Sequence, residues 1–249
     1  MRNYQPETYG ERIAADYDEV FAELVPPQCQ IDLLCRLARG GTAVELGVGT
    51  GRVAIPLARR NVAVIGVDSS PQMLERLEAK ANGLPVFPVL ADATDFSIDG
   101  HHEVTVAYAV FSTFFMLPGR ERQEACLRLM RSLLAQDGVL VLEVFMPHPQ
   151  LVGDDGRMRV KSVTADQVVV EVSRHDPAAQ RVDLQNVRLR QGEPVSLFPT
   201  QVHYLWPEQL DQLAAKCGFQ LTERYSDWAG SSFAPTADKH ISIYRTERP

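Results

Sequence analysis

Apolar and polar positions follow two different rhythms along this chain. From about residue 42 to 145, short apolar runs are separated by segments with a helical repeat, which is the signature of a parallel sheet built from strand–helix–strand units. Thr42–Leu46, Val62–Val67, Val86–Leu90, Val104–Val110 and Val139–Phe145 read as strands. Arg52–Arg60, Pro71–Asn82 and Arg120–Ala135 read as the helices between them. The second opens with Ser70 as a cap and Pro71 at the first helical position, where a missing N–H costs no hydrogen bond. Two more helices, Tyr9–Leu24 and Gln28–Arg39, precede the sheet, divided by Pro26-Pro27 and closed by Gly40-Gly41.

After Phe145 the rhythm changes. Met146-Pro147-His148-Pro149 and Gly153-Asp154-Asp155-Gly156 interrupt the pattern. Gln167–Arg174, Arg181–Arg190 and Thr200–Trp206 then alternate with a period of two and no helix between them, as an antiparallel meander does. A helix over Pro207–Cys217 stops at Gly218, and Phe219–Tyr225 and Lys239–Arg245 are two final strands. The expected architecture is a doubly wound α/β core with an inserted β cap. Residues 1–150 and 207–249 are assigned to the core and 151–206 to the cap.

Composition narrows the function more by exclusion than by indication. With 249 residues, 45% hydrophobic and 23% charged, the chain is an ordinary globular protein. Its 32 acidic residues outweigh 25 basic ones for a net charge of −7, which argues against a nucleic-acid partner, since those proteins cluster Lys and Arg to displace counterions. The four cysteines form no C-x-x-C pair and no metal-ligand spacing with the six histidines, so no metal site is expected. No run approaches the ~18–20 apolar residues that span a bilayer, and the start has no apolar leader core. A cytoplasmic protein without a membrane partner is the expectation.

The chemistry begins at Glu45-Leu46-Gly47-Val48-Gly49-Thr50-Gly51-Arg52, directly after the first strand and before a helix. Three alternate glycines let the backbone turn sharply and approach a ligand, and a helix N-terminus supplies free N–H donors. Asp68 ends the second strand about 20 residues on, where a carboxylate accepts hydrogen bonds from a ribose diol. Asp92, in Leu90-Ala91-Asp92-Ala93, follows the third strand. Three successive strand ends therefore point polar groups into one crevice, as open α/β sheets do. The dinucleotide pattern G-x-G-x-x-G fails in both registers, because Arg52 or Ala54 stands where its third glycine belongs.

E-x-G-x-G-x-G after the first strand, an acid closing the second and Asp-Ala after the third together resemble the class I S-adenosylmethionine-dependent methyltransferases. The resemblance implies a Rossmann-like seven-stranded sheet, mostly parallel with an antiparallel last strand, and S-adenosylmethionine as cofactor. It implies that Glu45, Gly47, Gly49 and Gly51 floor the cofactor site. Asp68 holds the ribose beside Ser69 and Met73, Asp92 and Ala93 meet the adenine, and Tyr108 opens the segment lining the reacting methyl. The segment from Tyr9 to Asp18 and the β cap resemble the small-molecule branch, similar to amino-sugar N-methyltransferases, in which a tyrosine-bearing helix covers the cofactor. Tyr9 and Tyr17 are then lid residues.

The implied reaction is methyl transfer to a small-molecule amine or hydroxyl, such as an amino sugar or another specialised metabolite. Proton removal from that acceptor points to histidines at the crevice, namely His148 after the fifth strand and His203 on the cap. Phe111, Trp228 and Phe233 are candidate aromatic walls for the acceptor, with Tyr9 beside them. Three alternatives stand: another reaction on the same cofactor, such as aminopropyl transfer or a pericyclic step; a non-catalytic cofactor-binding protein; and a nicotinamide oxidoreductase, which the missing third glycine opposes. The assembly is left open between a homodimer and a monomer.

Overall fold

The computed structural model describes residues 1, 4–5, 7–21, 25–98, 100, 103–147 and 156–246. Seven strands form one sheet: β1 (Thr42–Leu46), β2 (Val64–Asp68), β3 (Val86–Leu90), β4 (Val104–Ala109), β5 (Leu134–Phe145), β10 (Phe219–Tyr225) and β11 (Lys239–Thr246). Their spatial order is β3-β2-β1-β4-β5-β11-β10. The first five run parallel, and β11 lies antiparallel to both β5 and β10. The order reverses between β1 and β4, so the crevice beyond their carboxyl ends is the natural ligand position.

β1 and β4 are buried along their whole length, which is why they read as unbroken apolar runs rather than alternating ones. Alternation still decides which side each residue serves. Val44 and Leu46 face the side covered by α6 (Gly119–Leu133) and α7 (Pro207–Lys216). Ala43 faces the side covered by α3 (Gln28–Ala38), α4 (Ala54–Ala58) and α5 (Pro71–Lys80). Ser70 caps α5 as expected, its hydroxyl accepting the Met73 N–H at 3.4 Å.

Several elements differ from the sequence expectation, β5 among them, which begins at Leu134 rather than Val139. The first helix splits into α1 (Thr8–Ile13) and α2 (Tyr17–Val20) around a turn at 14–16, because Asp16, Asp18 and Glu19 are drawn to partners on different elements. The antiparallel sheet has four strands, β6 (Arg157–Val163), β7 (Gln167–Asp176), β8 (Arg181–Arg190) and β9 (Ser196–His203), in sequential order. β6 is fully exposed, so its alternating Arg157-Met158-Arg159-Val160 carries little burial signal. β9 also begins four residues before the expected Thr200 and includes Pro199, which the sheet tolerates because β9 is an edge. Among the described residues, no helix is long and apolar enough to cross a membrane, and no cluster of three metal-ligating side chains is formed.

Candidate active site

The chain leaves β1 at Leu46 and turns through the glycine loop into α4. Gly47, at φ +64°, packs so closely that a Cβ would run into the Thr113 side chain. Gly49, at φ +54°, has open space where its Cβ would stand. Both demand glycine, the first for contact and the second for its left-handed backbone. The Gly49 N–H donates to Asp68 Oδ2 at 2.8 Å, and the Ser70 N–H donates to Oδ1 at 2.9 Å. Burial pushes the Asp68 carboxyl up, while these backbone donors pull it back. Each oxygen keeps lone-pair capacity toward the crevice.

Asp92 stands at the next strand end. Thr94 donates to Oδ1 through its N–H at 2.8 Å and its hydroxyl at 2.6 Å, and Arg122 pairs with Oδ2. Burial works to raise this carboxyl, but those donors hold it below the usual carboxylate range.

One cavity joins these parts. Gly47, Gly49, Asp68, Ser69, Met73, Asp92 and Ala93 line one side, and Tyr9, Tyr17 and Phe111 close over it. The far wall comes from the cap: Asn186 on β8 with Thr200 and Val202 on β9. Sequence reasoning missed these three, whereas Thr113, in the segment expected to line the reacting methyl, does line the cavity. The signal was present, since Thr200 and Val202 share one face of a strand of period two, but attention to His203 on the same strand pointed to the opposite face.

The roof is tied on both sides. Asp18 accepts the Thr50 hydroxyl at 2.7 Å and pairs with Lys80 at 2.9 Å, which joins α2 to the glycine loop and α5. Asp16 takes both terminal nitrogens of the largely buried Arg188 at 3.1 Å each, and Glu19 pairs with Arg190, which joins the same segment to β8. Arg52 stacks over the Phe111 ring at 3.4 Å from its centroid, with the Tyr17 and Phe21 rings at 5.9 Å.

Phe111 and Ser112 follow β4 at φ +54° and +62°, an unfavourable region for bulky side chains. The buried Glu143 holds that turn: its Oε2 accepts the Phe111 N–H at 3.0 Å, and its carbonyl accepts the Ser112 N–H at 3.0 Å. Oε1 accepts the Trp228 indole N–H at 3.2 Å and pairs with Lys239 at 2.5 Å.

Comparison with known proteins bears on what this crevice holds. A methyltransferase-domain profile matches residues 43–138. The CcbJ methyltransferase from Streptomyces caelestis shares 35% identity, with 98% of this chain and 100% of that chain covered and a TM-score of 0.91. The chain belongs to the S-adenosylmethionine-dependent methyltransferases. The cypemycin N-terminal methyltransferase of a Streptomyces species is 27% identical over 242 residues, covering 96% of this chain and 97% of the relative. The S-adenosylmethionine-bound amino pentose methyltransferase CalS10 from Micromonospora echinaspora shares the fold, at 19% identity and a TM-score of 0.70 over 92% of this chain and 96% of that one.

S-adenosylmethionine is therefore the cofactor, and the crevice of this methyltransferase fits it. A loop open above Gly49, an acid at the end of β2 and a second acid after β3 supply a floor, acceptors for a diol and a polar edge around one cavity.

Several expected site residues lie elsewhere. Glu45 faces the α3 side of β1, only 2% exposed, where it accepts the Tyr108 hydroxyl at 2.9 Å. Burial raises its carboxyl to about 8, despite the hydrogen bond from Tyr108. Neither Glu45 nor Tyr108 lines the cavity; strand alternation turns both beneath the loop. Gly51 sits where a Cβ would strike Leu77 and Ile55, so it serves the packing of α4 on α5. Trp228 is buried against Glu143 rather than facing the crevice, and Phe233 packs on His240 and Arg224. The His203 ring pairs with Gln201 on the outward face, and burial, with Arg181 nearby, depresses its pKa. His148 lies outside the described residues.

Proposed function

We propose that this methyltransferase N-methylates a small molecule or peptide terminus carrying a free amine, with residues 151–206 acting as the cap that closes over it. The observation carrying this reading is the chemistry of the acceptor wall. Among the described residues, that wall carries no histidine, lysine or glutamate. Burial drives the Tyr9 and Tyr17 hydroxyls up and away from ionisation, so neither serves as a base near neutral pH. Asp92 is held low, which suits it poorly to take a proton, and Asp68, though burial raises it, has both oxygens engaged by the Gly49 and Ser70 amides. A hydroxyl acceptor needs such a base, whereas a neutral amine is nucleophilic without one. The full-length relative that acts at a peptide's N-terminus supports the same preference.

When bound, S-adenosylmethionine would supply an electrophilic methyl on a sulfonium. Asp68, Asp92 and the glycine loop would hold its adenosine part by hydrogen bonds. Tyr9, Phe111 and Val202 would exclude water, and Asn186 and Thr200 would present the polar groups that orient the acceptor nitrogen. The proton that the acceptor nitrogen sheds would pass to solvent. Most of the acceleration is then positioning, which contributes up to about 7–11 kcal/mol in well-oriented reactions.

A panel of amines spanning a range of basicity tests this, with S-adenosylhomocysteine release as the readout. The pH midpoint of kcat/KM is expected to move with the acceptor's own pKa. A midpoint that stays fixed while the amine changes, or a preference for phenols, would overturn the assignment and point to an enzyme base and O-methylation.

A further inference from the structure

The cap sheet has two faces of different character. Register across β7, β8 and β9 puts Asn186, Arg188, Phe198, Thr200 and Val202 on the inner face, toward the cavity and α1. The same register puts Met158, Val160, Val170, Val172, Val187 and Leu197 on the outer one. A bulge between Val160 and Ser162 resets β6, so that Val163, opposite Val168, returns to this outer face as well. Here the side chains stand in solvent: Met158 is 74% exposed, Val163 67%, Val160 59% and Leu197 53%. An antiparallel sheet facing water normally alternates to polar residues on that side. This one does not.

We propose that the outer face of the cap sheet is a two-fold interface with a second copy of this chain. Area is the first argument. The outer-face Met158, Val160, Val163, Val172, Leu189 and Leu197 are 40–74% exposed, and with the half-buried valines between them they present on the order of 700 Å² of mostly apolar accessible surface. That exceeds the roughly 300–600 Å² of the largest patch on a typical monomer and approaches the ~800 Å² per partner of a standard interface.

Charge is the second argument. The chain carries a net charge of −7, so two copies repel unless they meet where carboxylates are absent. The apolar part of the outer face is such a place, since Glu171 of β7 points to the opposite side and pairs there with Lys161. At the other end of the same face Arg174, Arg181 and Asp176 stand around Asp183, whose Oδ2 already takes this chain's own Met1 ammonium at 2.9 Å, so the apolar part of the face is the part that a second copy would meet.

The third argument concerns direction. Arg157, Arg159 and Lys161 flank the apolar residues of edge strand β6, and charges of one sign on an edge oppose strand-to-strand extension. Docking is therefore face to face, two sheets stacked about 10 Å apart. Such a contact is isologous, places valine and leucine against their own kind and closes at two copies.

Sedimentation velocity of the full chain at micromolar concentration tests the interface. The expected particle has twice the 27.7 kDa chain mass. Val160→Glu combined with Leu197→Glu is expected to give the single-chain mass and to weaken association at least a hundredfold. Both positions are exposed in the single chain, so its fold tolerates the change; unchanged S-adenosylmethionine binding by calorimetry verifies that it does. Phe87→Glu together with Leu90→Glu, exposed on β3 at the far edge of the large sheet, is expected to leave the dimer intact. A wild-type chain that sediments singly overturns the proposal, as does a dimer that survives the cap variant or is lost in the β3 variant.

Discussion

The floor and the roof of the cavity are held by different physics. Beneath it, Glu45 with Tyr108, Asp68 with the Gly49 and Ser70 amides, and Glu143 with Phe111 and Trp228 are hydrogen-bonded groups sunk into the sheet. Above it, Asp16, Asp18 and Glu19 reach from a short helical segment to Arg188, Lys80 and Arg190, most of them partly in solvent. Burial displaces the titration of Glu45 and Asp68 upward, so these two carboxyls respond to protons. Exposed ion pairs respond to salt, because a Debye length of about 8 Å at physiological ionic strength screens them. The floor should therefore report pH and the roof ionic strength.

The largest expected effect is at Glu45. Its folded carboxyl titrates at about 8 and its unfolded one near the ordinary 4.5. Between these values the folded state holds more protons, so stability falls as pH rises from about 5 to about 8 and levels off above. The loss across that window is on the order of a few kcal/mol at 1.36 kcal/mol per unit. Thermal melts at a series of pH values should show this slope in the wild type and its absence in Glu45→Gln.

Asp68→Ala comes next. Removing the charge-assisted acceptor should weaken S-adenosylmethionine binding by roughly 1.5–3 kcal/mol by calorimetry, with little dependence on salt. An unchanged dissociation constant would remove Asp68 from the site.

Glu143→Gln separates the support of the reacting wall from cofactor binding. The amide cannot satisfy Phe111, Trp228 and Lys239 together, so kcat should fall about tenfold, or ~1.4 kcal/mol, with cofactor affinity nearly unchanged. Trp228→Phe, which removes the indole donor and part of the buried ring while leaving Glu143 in place, should give a smaller loss in the same direction.

The smallest effect belongs to the roof. Lys80→Ala should raise KM up to a fewfold and flatten the rise of KM with added sodium chloride that the wild type shows. A salt response equal to that of the wild type would mean that the Asp18 contact does not hold the roof.

The same division explains what could be read from the chain. The glycine loop, Asp68 and Asp92 are local signals, each fixed to the end of a strand whose apolar run is unmistakable, and the cavity gathers all three. Glu45, Tyr108 and Trp228 were read as site residues because their types and positions along the chain suit one. Whether a strand residue faces the crevice or the opposite core depends on one step of alternation, and in fully buried strands both faces are apolar. The cap was harder still. Its β6 strand has no buried residue to mark it, and a strand beginning at Thr200 leaves Phe198 out of the inward set on β9.

Phe111 shows where stability and activity pull apart. A bulky aromatic residue at a left-handed backbone angle is the sort of residue that selection for heat resistance alone would discard, and glycine there would relax the turn. Glycine would also strip the ring from the cavity wall and from beneath Arg52. Libraries of this chain screened only for melting temperature should thus converge on sturdier proteins that no longer shape their acceptor, and position 111 is where that divergence would first be visible.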